Sequence, residues 1–303
     1  MELALTGAVE AAEKIRGGLF SSEDLISACL EQIDRLEDQI CAWTYLDADY
    51  AIQQARAADK TLQGGGTLGP LHGVPVGIKD IIDTKDMPTE DGTILHRGRQ
   101  PQEDATLVAR LREAGAVIMG KTVTTELAVF SPGKTRNPHN LDHTPGGSSS
   151  GSAAAVACGM IPLSVGSQTN GSMIRPASFC GVYGYKPTFG YISRHLVLPQ
   201  SRPLDQIGVF GRSIEDMALI AETLIGYDAN DPDSIRQARR ELFKIQAEEP
   251  PVAPRLAFIK TPVWDQADQF TRSSFDELVD ELGESAAEVP LPEIFDDAHE
   301  HHR

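Results

Sequence analysis

A run of glycine and serine, Gly146-Gly147-Ser148-Ser149-Ser150-Gly151-Ser152, passes without a break into Ala153-Ala154-Ala155-Val156-Ala157-Cys158. A helix that is apolar on all sides has to be buried. The turn before it is therefore anchored, which excludes a flexible linker. A phosphate loop of the Walker type is excluded as well, because no Gly-Lys-Ser/Thr occurs in the run. What remains is a structured turn in which small residues let the backbone approach a neighbour or a substrate closely. A second turn of the same kind, Gly166-Ser167-Gln168-Thr169-Asn170-Gly171-Ser172, follows.

The first turn also fits the Gly-x-Ser-x-Gly pattern of a nucleophile elbow, at Gly147-Ser148-Ser149-Ser150-Gly151. An elbow needs a strand directly before it, and an acid and a histidine after it. Asn140-Leu141-Asp142-His143-Thr144-Pro145 cannot form a central strand, and His195 is the one downstream histidine before the tail.

Upstream, Val74-Pro75-Val76-Gly77-Ile78-Lys79-Asp80 carries a lysine to the end of an apolar stretch. One reading of Lys79 is a strand-end lysine with its ammonium in water. The other is a buried amine whose proton affinity falls because the charged form loses hydration. Ile81 and Ile82 after it favour burial, and Asp80, next along the strand, points to the opposite face. Lowering a lysine pKa from about 10.4 to about 7 costs on the order of 5 kcal/mol, within reach of desolvation. A neutral amine and two hydroxyls can hand on a proton in series, which activates a nucleophile without histidine.

Periodicity predicts helices over residues 21–36, with Ser21 and Asp24 as capping box, and 48–60, ending in the Gly64-Gly65-Gly66 turn. Further helices are predicted over 104–114, 153–158, 213–226 (Ser213 and Asp216 as capping box, Gly226 as stop) and 270–282. Buried strands are predicted over 74–82, 116–119 and 161–165, with a long loop over 131–147. Trp43 and Tyr45 alternate like a half-buried strand. After the acidic loop 228–233 a polar helix is expected, then a linker at Glu248-Glu249-Pro250-Pro251-Val252-Ala253-Pro254, a strand at 256–259 and a last strand fragment near Val289. Strands alternating with helices imply an α/β fold with a mostly internal sheet.

With 27 Lys and Arg against 44 Asp and Glu, the net charge of −17 repels phosphate backbones and anionic lipids. Neither nucleic acid nor a membrane is an expected partner. Cys29, Cys41, Cys158 and Cys180 have no CxxC spacing and read as buried thiols of a reducing compartment. The first residues carry no basic region of a signal peptide, and no apolar run is long enough to cross a bilayer, so a cytoplasmic location is expected. His299, Glu300, His301 and His302 are ligand types at a frayed terminus, and no metal is expected there. His72, His96, His139 and His143 read as surface or hydrogen-bonding residues of loops.

Together the segments resemble the amidase signature family. The resemblance rests on Gly77-Ile78-Lys79-Asp80, on Pro145 through Ala153, and on Gly171-Ser172-Met173-Ile174-Arg175-Pro176-Ala177-Ser178-Phe179-Cys180-Gly181, with Tyr185-Lys186-Pro187-Thr188 behind. Ser172 follows Ser148 by the family's 24 residues. The similarity is strongest over 70–225. It implies one α/β domain over 1–303, with a mixed central sheet flanked by helices and without the carboxy-terminal part of longer members. It implies a Ser–cis-Ser–Lys triad: Ser172 as nucleophile, Ser148 as bridge in a cis peptide after Gly147, and Lys79 as base. The amides of Thr169, Asn170, Gly171 and Ser172 would receive the oxyanion, and Arg175 would be an orienting charge. The implied reaction is hydrolysis of a small-molecule carboxamide without metal or cofactor, and a homodimer is an open expectation. Gln168 and Asn170 depart from the commoner Asp-Thr-Gly-Gly-Ser pattern, which speaks against a component of an aminoacyl-tRNA amidotransferase. Such a component, releasing ammonia for a partner, and an inactive fragment are the rival readings.

Overall fold

The computed structural model describes residues 3–238 and 240–298, so His299, Glu300, His301 and His302 lie outside the described residues. Two compact units form, residues 1–247 and 248–303, and the boundary falls at the predicted linker.

The first unit opens with α1 (Ala8–Arg16) and α2 (Ser22–Ile40), followed by β1 (Trp43–Leu46), α3 (Ala48–Gln63), β2 (Pro75–Lys79), α4 (Thr106–Glu113) and β3 (Val117–Thr122). It continues through α5 (Ser150–Ala157), β4 (Leu163–Gln168), α6 (Ile174–Cys180), β5 (Tyr183–Tyr185), β6 (Gln206–Gly211), α7 (Ile214–Leu224) and α8 (Leu242–Ile245). Six strands form one mixed sheet in the order β1-β3-β2-β4-β6-β5. β2 runs parallel to both β3 and β4, while β1, β6 and β5 pair antiparallel.

The parallel centre explains the composition of its strands. All of Pro75–Lys79 and Val117–Thr122 is buried, as expected of strands covered on both faces. One cover is α5, in which every residue from Ser150 to Val156 is buried. Its serines dock on the sheet by hydrogen bonds: Ser152 Oγ lies 2.6 Å from Thr122 Oγ1 and donates to Val165 O, and Ser150 Oγ donates to Val123 O. Gly151 is required here, since a Cβ would come within 2.2 Å of Ala42 O.

Several boundaries differ from expectation. α2 runs to Ile40 because Glu37 accepts from the amides of Ala42 and Trp43 and draws the chain back only there. Its capping box of Ser21 and Asp24 is complete. At α7 only half the box forms: Ser213 Oγ accepts from Asp216 N, but Asp216 Oδ1 accepts from Val9 N instead. α7 ends at Leu224, before Gly226. The polar helix expected after residue 233 shrinks to the single turn of α8. Asp228 is drawn to Ser193 and Thr106, and Asp231 to Arg194, so side-chain bonds compete with helix formation. α1, α6, β5 and β6 have no counterpart among the predicted elements. The four cysteines are free, but only Cys29 and Cys180 are buried; Cys41 and Cys158 are half-buried. His72, read as a surface or hydrogen-bonding loop residue, is the latter: it is buried in a turn with Nε2 against Ala58 O.

The second unit pairs β7 (Leu256–Phe258) in parallel with β8 (Ala286–Glu288) beside α9 (Gln269–Leu282). Phe258, Trp264 and Phe275 cluster within it, with ring centroids 5.4–5.8 Å apart. No helix among the described residues is long and apolar enough to cross a membrane.

Candidate active site

Lys79 is the last residue of β2, and Ser167 and Gln168 are the last of β4, so two parallel strands deliver them to the same edge of the sheet. Lys79 is fully buried. Its Nζ donates to Ser148 Oγ at 2.7 Å and to Ser167 Oγ at 2.9 Å. Burial pulls its pKa down to about 7, against a smaller opposing pull from the Asp205 carboxylate.

Ser148 follows a cis peptide bond, Gly147–Ser148. The carbonyl of that peptide, Gly147 O, accepts from Arg175 Nε at 3.0 Å and Nη2 at 2.9 Å. The neighbouring Ser149 Oγ donates to Ser167 O and accepts from Ser167 N. These contacts clamp the first glycine-rich turn to the second. Gly146 supplies the backbone bend at φ +74, close against Pro176.

Ser172 lies just before α6, nearly buried. Its hydroxyl makes no hydrogen bond among the described residues, so the lysine and Ser148 are joined directly and Ser172 is not joined to them. Gln168 occupies the position of the commoner aspartate, and its Oε1 accepts from the amides of Met173 and Ile174, which closes the turn from inside. The amides of Thr169, Asn170, Gly171 and Ser172 have no acceptor among the described residues. A cavity of about 150 Å³ lies over Ser172, walled by Ala128, Val129, Phe130, Gln200 and Ser201. Behind Ser167 and Thr169 a second cavity of about 350 Å³ extends past Asp205 toward Arg194.

Three residues here escape the sequence motifs. Ser167 is the second partner of the lysine, signalled only by its place in the glycine-rich turn. Asp205 accepts from Thr169 Oγ1 at 2.5 Å, and nothing in its local sequence marks it. Lys121 is a second fully buried lysine, donating to Ile82 O, Thr84 Oγ1 and Thr89 Oγ1 and lying 3.9 Å from Asp80 Oδ1. Desolvation lowers its pKa to about 8 and raises that of Asp80 to about 6. Among the described residues, no group of three His, Cys, Asp or Glu is arranged to hold a metal.

The sequence profile of the Amidase family matches residues 24–296. The chain belongs to the amidase signature family. The A subunit of glutamyl-tRNA(Gln) amidotransferase from Acidothermus cellulolyticus is 38% identical over 294 residues, covering 94% of this chain and 58% of the relative. Its counterpart in Thermobifida fusca is 42% identical over 242 residues, 78% of this chain and 49% of the relative. Among solved amidases, the peptide amidase of Stenotrophomonas maltophilia superposes with a TM-score of 0.85 at 32% identity, over 94% of this chain and 62% of that one. A 6-aminohexanoate cyclic dimer hydrolase complexed with substrate gives a TM-score of 0.84 at 29% identity, over 94% and 61%. The mixed sheet flanked by helices is the fold that the resemblance implies. The chain spans about half the length of the curated relatives it matches.

Proposed function

We propose that the protein is an amidase that hydrolyses a small-molecule carboxamide through Ser172, Ser148 and Lys79. The observation that carries this reading is the 2.7 Å contact between a fully buried amine and the Ser148 hydroxyl. A neutral lysine donates one N–H to Ser167 Oγ and turns its lone pair to the Ser148 O–H. Ser148 in turn takes the proton of Ser172 as Ser172 Oγ attacks the amide carbonyl. This relay requires the Ser172 hydroxyl, unbonded among the described residues, to turn toward Ser148 Oγ when substrate binds. Hydrogen bonds of this kind often tighten only once substrate is bound.

The tetrahedral oxyanion is received by the free amides of Thr169–Ser172, where one donor is worth about 3 kcal/mol of barrier. The lysine returns the proton through Ser148 to the leaving nitrogen, which departs as ammonia or an amine. Water then cleaves the acyl-enzyme by the same route and leaves the carboxylate. The reaction uses protein groups and water, and the site is read as that of a cytoplasmic enzyme.

The test is covalent labelling with an alkyl fluorophosphonate together with ammonia release from a panel of aliphatic, aromatic and urea-type amides. The wild-type chain should label once and release ammonia from at least one amide, and Ser172→Ala should do neither while melting cooperatively. Labelling of Ser172→Ala at the wild-type rate overturns the assignment.

A second reading is favoured by the 38–42% identity to components of glutamyl-tRNA(Gln) amidotransferases. In it the same site releases ammonia from glutamine for a partner chain. Glutamine-dependent ammonia release and copurification with a second chain would support it over the first.

A further inference from the structure

We propose that Asp205 is a positioning residue of this site, tying the oxyanion turn, the wall over Ser172 and the lysine base into one polar frame. The inference rests on the amidase reading above and extends it.

Asp205 immediately precedes β6. Its Oδ1 accepts from Thr169 Oγ1 at 2.5 Å, and its Oδ2 accepts from the backbone amides of Gln200 and Ser201 at 2.8 Å each. All the hydrogen-bonding capacity this carboxylate displays is spent on two segments, and both border the cavity at Ser172. Thr169 is the first residue of the turn whose amides are free, so anchoring its hydroxyl fixes the direction of those N–H groups. Gln200 carries the restraint further, since its Nε2 donates to Leu127 O at 2.9 Å. Leu127 and Ala128 stand in the left-handed region at φ 50 and 57, which any side chain with a Cβ adopts only under restraint. That corner leads into Val129 and Phe130, the apolar wall of the cavity.

The same carboxylate acts on Lys79 through space. Its negative charge favours the protonated amine and so opposes the effect of burial. The other charges near the site are engaged elsewhere. Lys121 and Asp80 face one another, and Arg175 is bound to Gly147 O. Arg194 binds Asp231 and Asp233, with Nη1 also reaching the backbone carbonyl of Asp205 at 3.3 Å. Arg202 binds Asp233, and Lys186 binds Gln206.

Two effects follow from one group, and pH separates them. Removing the charge lowers the proton affinity of Lys79, so more of the base is neutral at a given pH. Removing the anchor loosens the turn, which lowers the rate even when the base is fully neutral. The experiment measures labelling rate against pH with an alkyl fluorophosphonate on the full chain. For wild type the rate should rise through an inflection near 7 to an alkaline plateau.

Asp205→Asn should move the inflection down by about half a pH unit or more and lower the plateau about ten-fold, the usual loss when a hydrogen bond to a charged group is weakened. Thr169→Val keeps the carboxylate and removes the hydroxyl, with its contacts to Asp205 Oδ1 and Gln200 Oε1. It should lower the plateau about ten-fold and leave the inflection in place. Asp205→Asn with a wild-type inflection and plateau overturns the proposal, as does Thr169→Val with a wild-type plateau. If Asp205→Asn does not melt cooperatively, the Thr169→Val plateau decides. Labelling of Ser172→Ala at the wild-type rate is a different pattern, independent of residue 205, and overturns the parent reading together with this one.

Discussion

Lys121 Nζ lies 3.9 Å from Asp80 Oδ1, and both side chains are withdrawn from water on the strand edge that carries Lys79. The lysine has three oxygen acceptors, whereas Asp80 Oδ1 accepts from Glu90 N and its Oδ2 has no hydrogen-bond partner among the described residues. A half-satisfied buried pair tolerates the loss of one member poorly, because the other is left as an uncompensated charge. Lys121→Met should therefore destabilise the protein by about 3–5 kcal/mol. Adding Asp80→Asn should recover part of that loss. Urea unfolding of the single and double variants measures the coupling, and additive losses would show that the two groups do not interact.

Arg175 grips the carbonyl of the Gly147–Ser148 peptide with two nitrogens of one planar group. A lysine ammonium cannot reproduce that fork. Arg175→Lys should lower the fluorophosphonate labelling rate about ten-fold or more while costing under about 1.5 kcal/mol of stability, since the residue is exposed. A large stability loss with an unchanged labelling rate would assign Arg175 to the fold rather than to the site.

How much of this is legible before folding depends on the range of the interaction. The Ser21–Asp24 box and the apolar run Ala153–Cys158 that fills most of α5 are local, and sequence displays them directly. The split of the Ser213–Asp216 box is not local, because Val9, more than 200 residues away in the chain, takes the Asp216 carboxylate. Lys79 can be singled out because apolar neighbours surround it in sequence, but its bond to Ser148 spans 69 residues and is suggested only by the family resemblance. Ser167, Lys121 and Asp205 acquire meaning only when strands and loops distant in sequence come together. β6 escapes notice for another reason: Gly208 and Gly211 dilute its alternation, yet a Cβ at Gly208 would come within 2.6 Å of Tyr185 O.

Gln168 illustrates how a departure from the commoner motif is absorbed. Its amide oxygen accepts from two backbone amides that open α6, work for which a carboxylate oxygen is equally suited. Gln168→Glu should be tolerated to within about 1 kcal/mol, and Gln168→Leu should cost about 1–3 kcal/mol by stranding buried donors. Thermal and urea unfolding of the two variants tests this; equal losses would mean that shape rather than hydrogen bonding sets the residue.

The buried amine of Lys79 imposes a cost on the fold that pH should expose. Its folded pKa of about 7 lies below the value of 10.5 for an exposed lysine, so between those limits the unfolded chain binds the extra proton. Stability linked to Lys79 is therefore complete above about 10.5 and is lost as pH falls toward 7, at about 1.4 kcal/mol per pH unit. Lys79→Met removes that dependence, because methionine fills similar space and has nothing to titrate. The stability of wild type relative to Lys79→Met should fall by about 2 kcal/mol between pH 9 and pH 7, while the variant loses labelling altogether. The lost partners of Ser148 and Ser167 shift the variant's stability equally at both pH values, so they leave the difference intact. A gap that does not change with pH would mean that Lys79 keeps an ordinary proton affinity in the folded chain, and an amine of that kind cannot serve as the base at neutral pH.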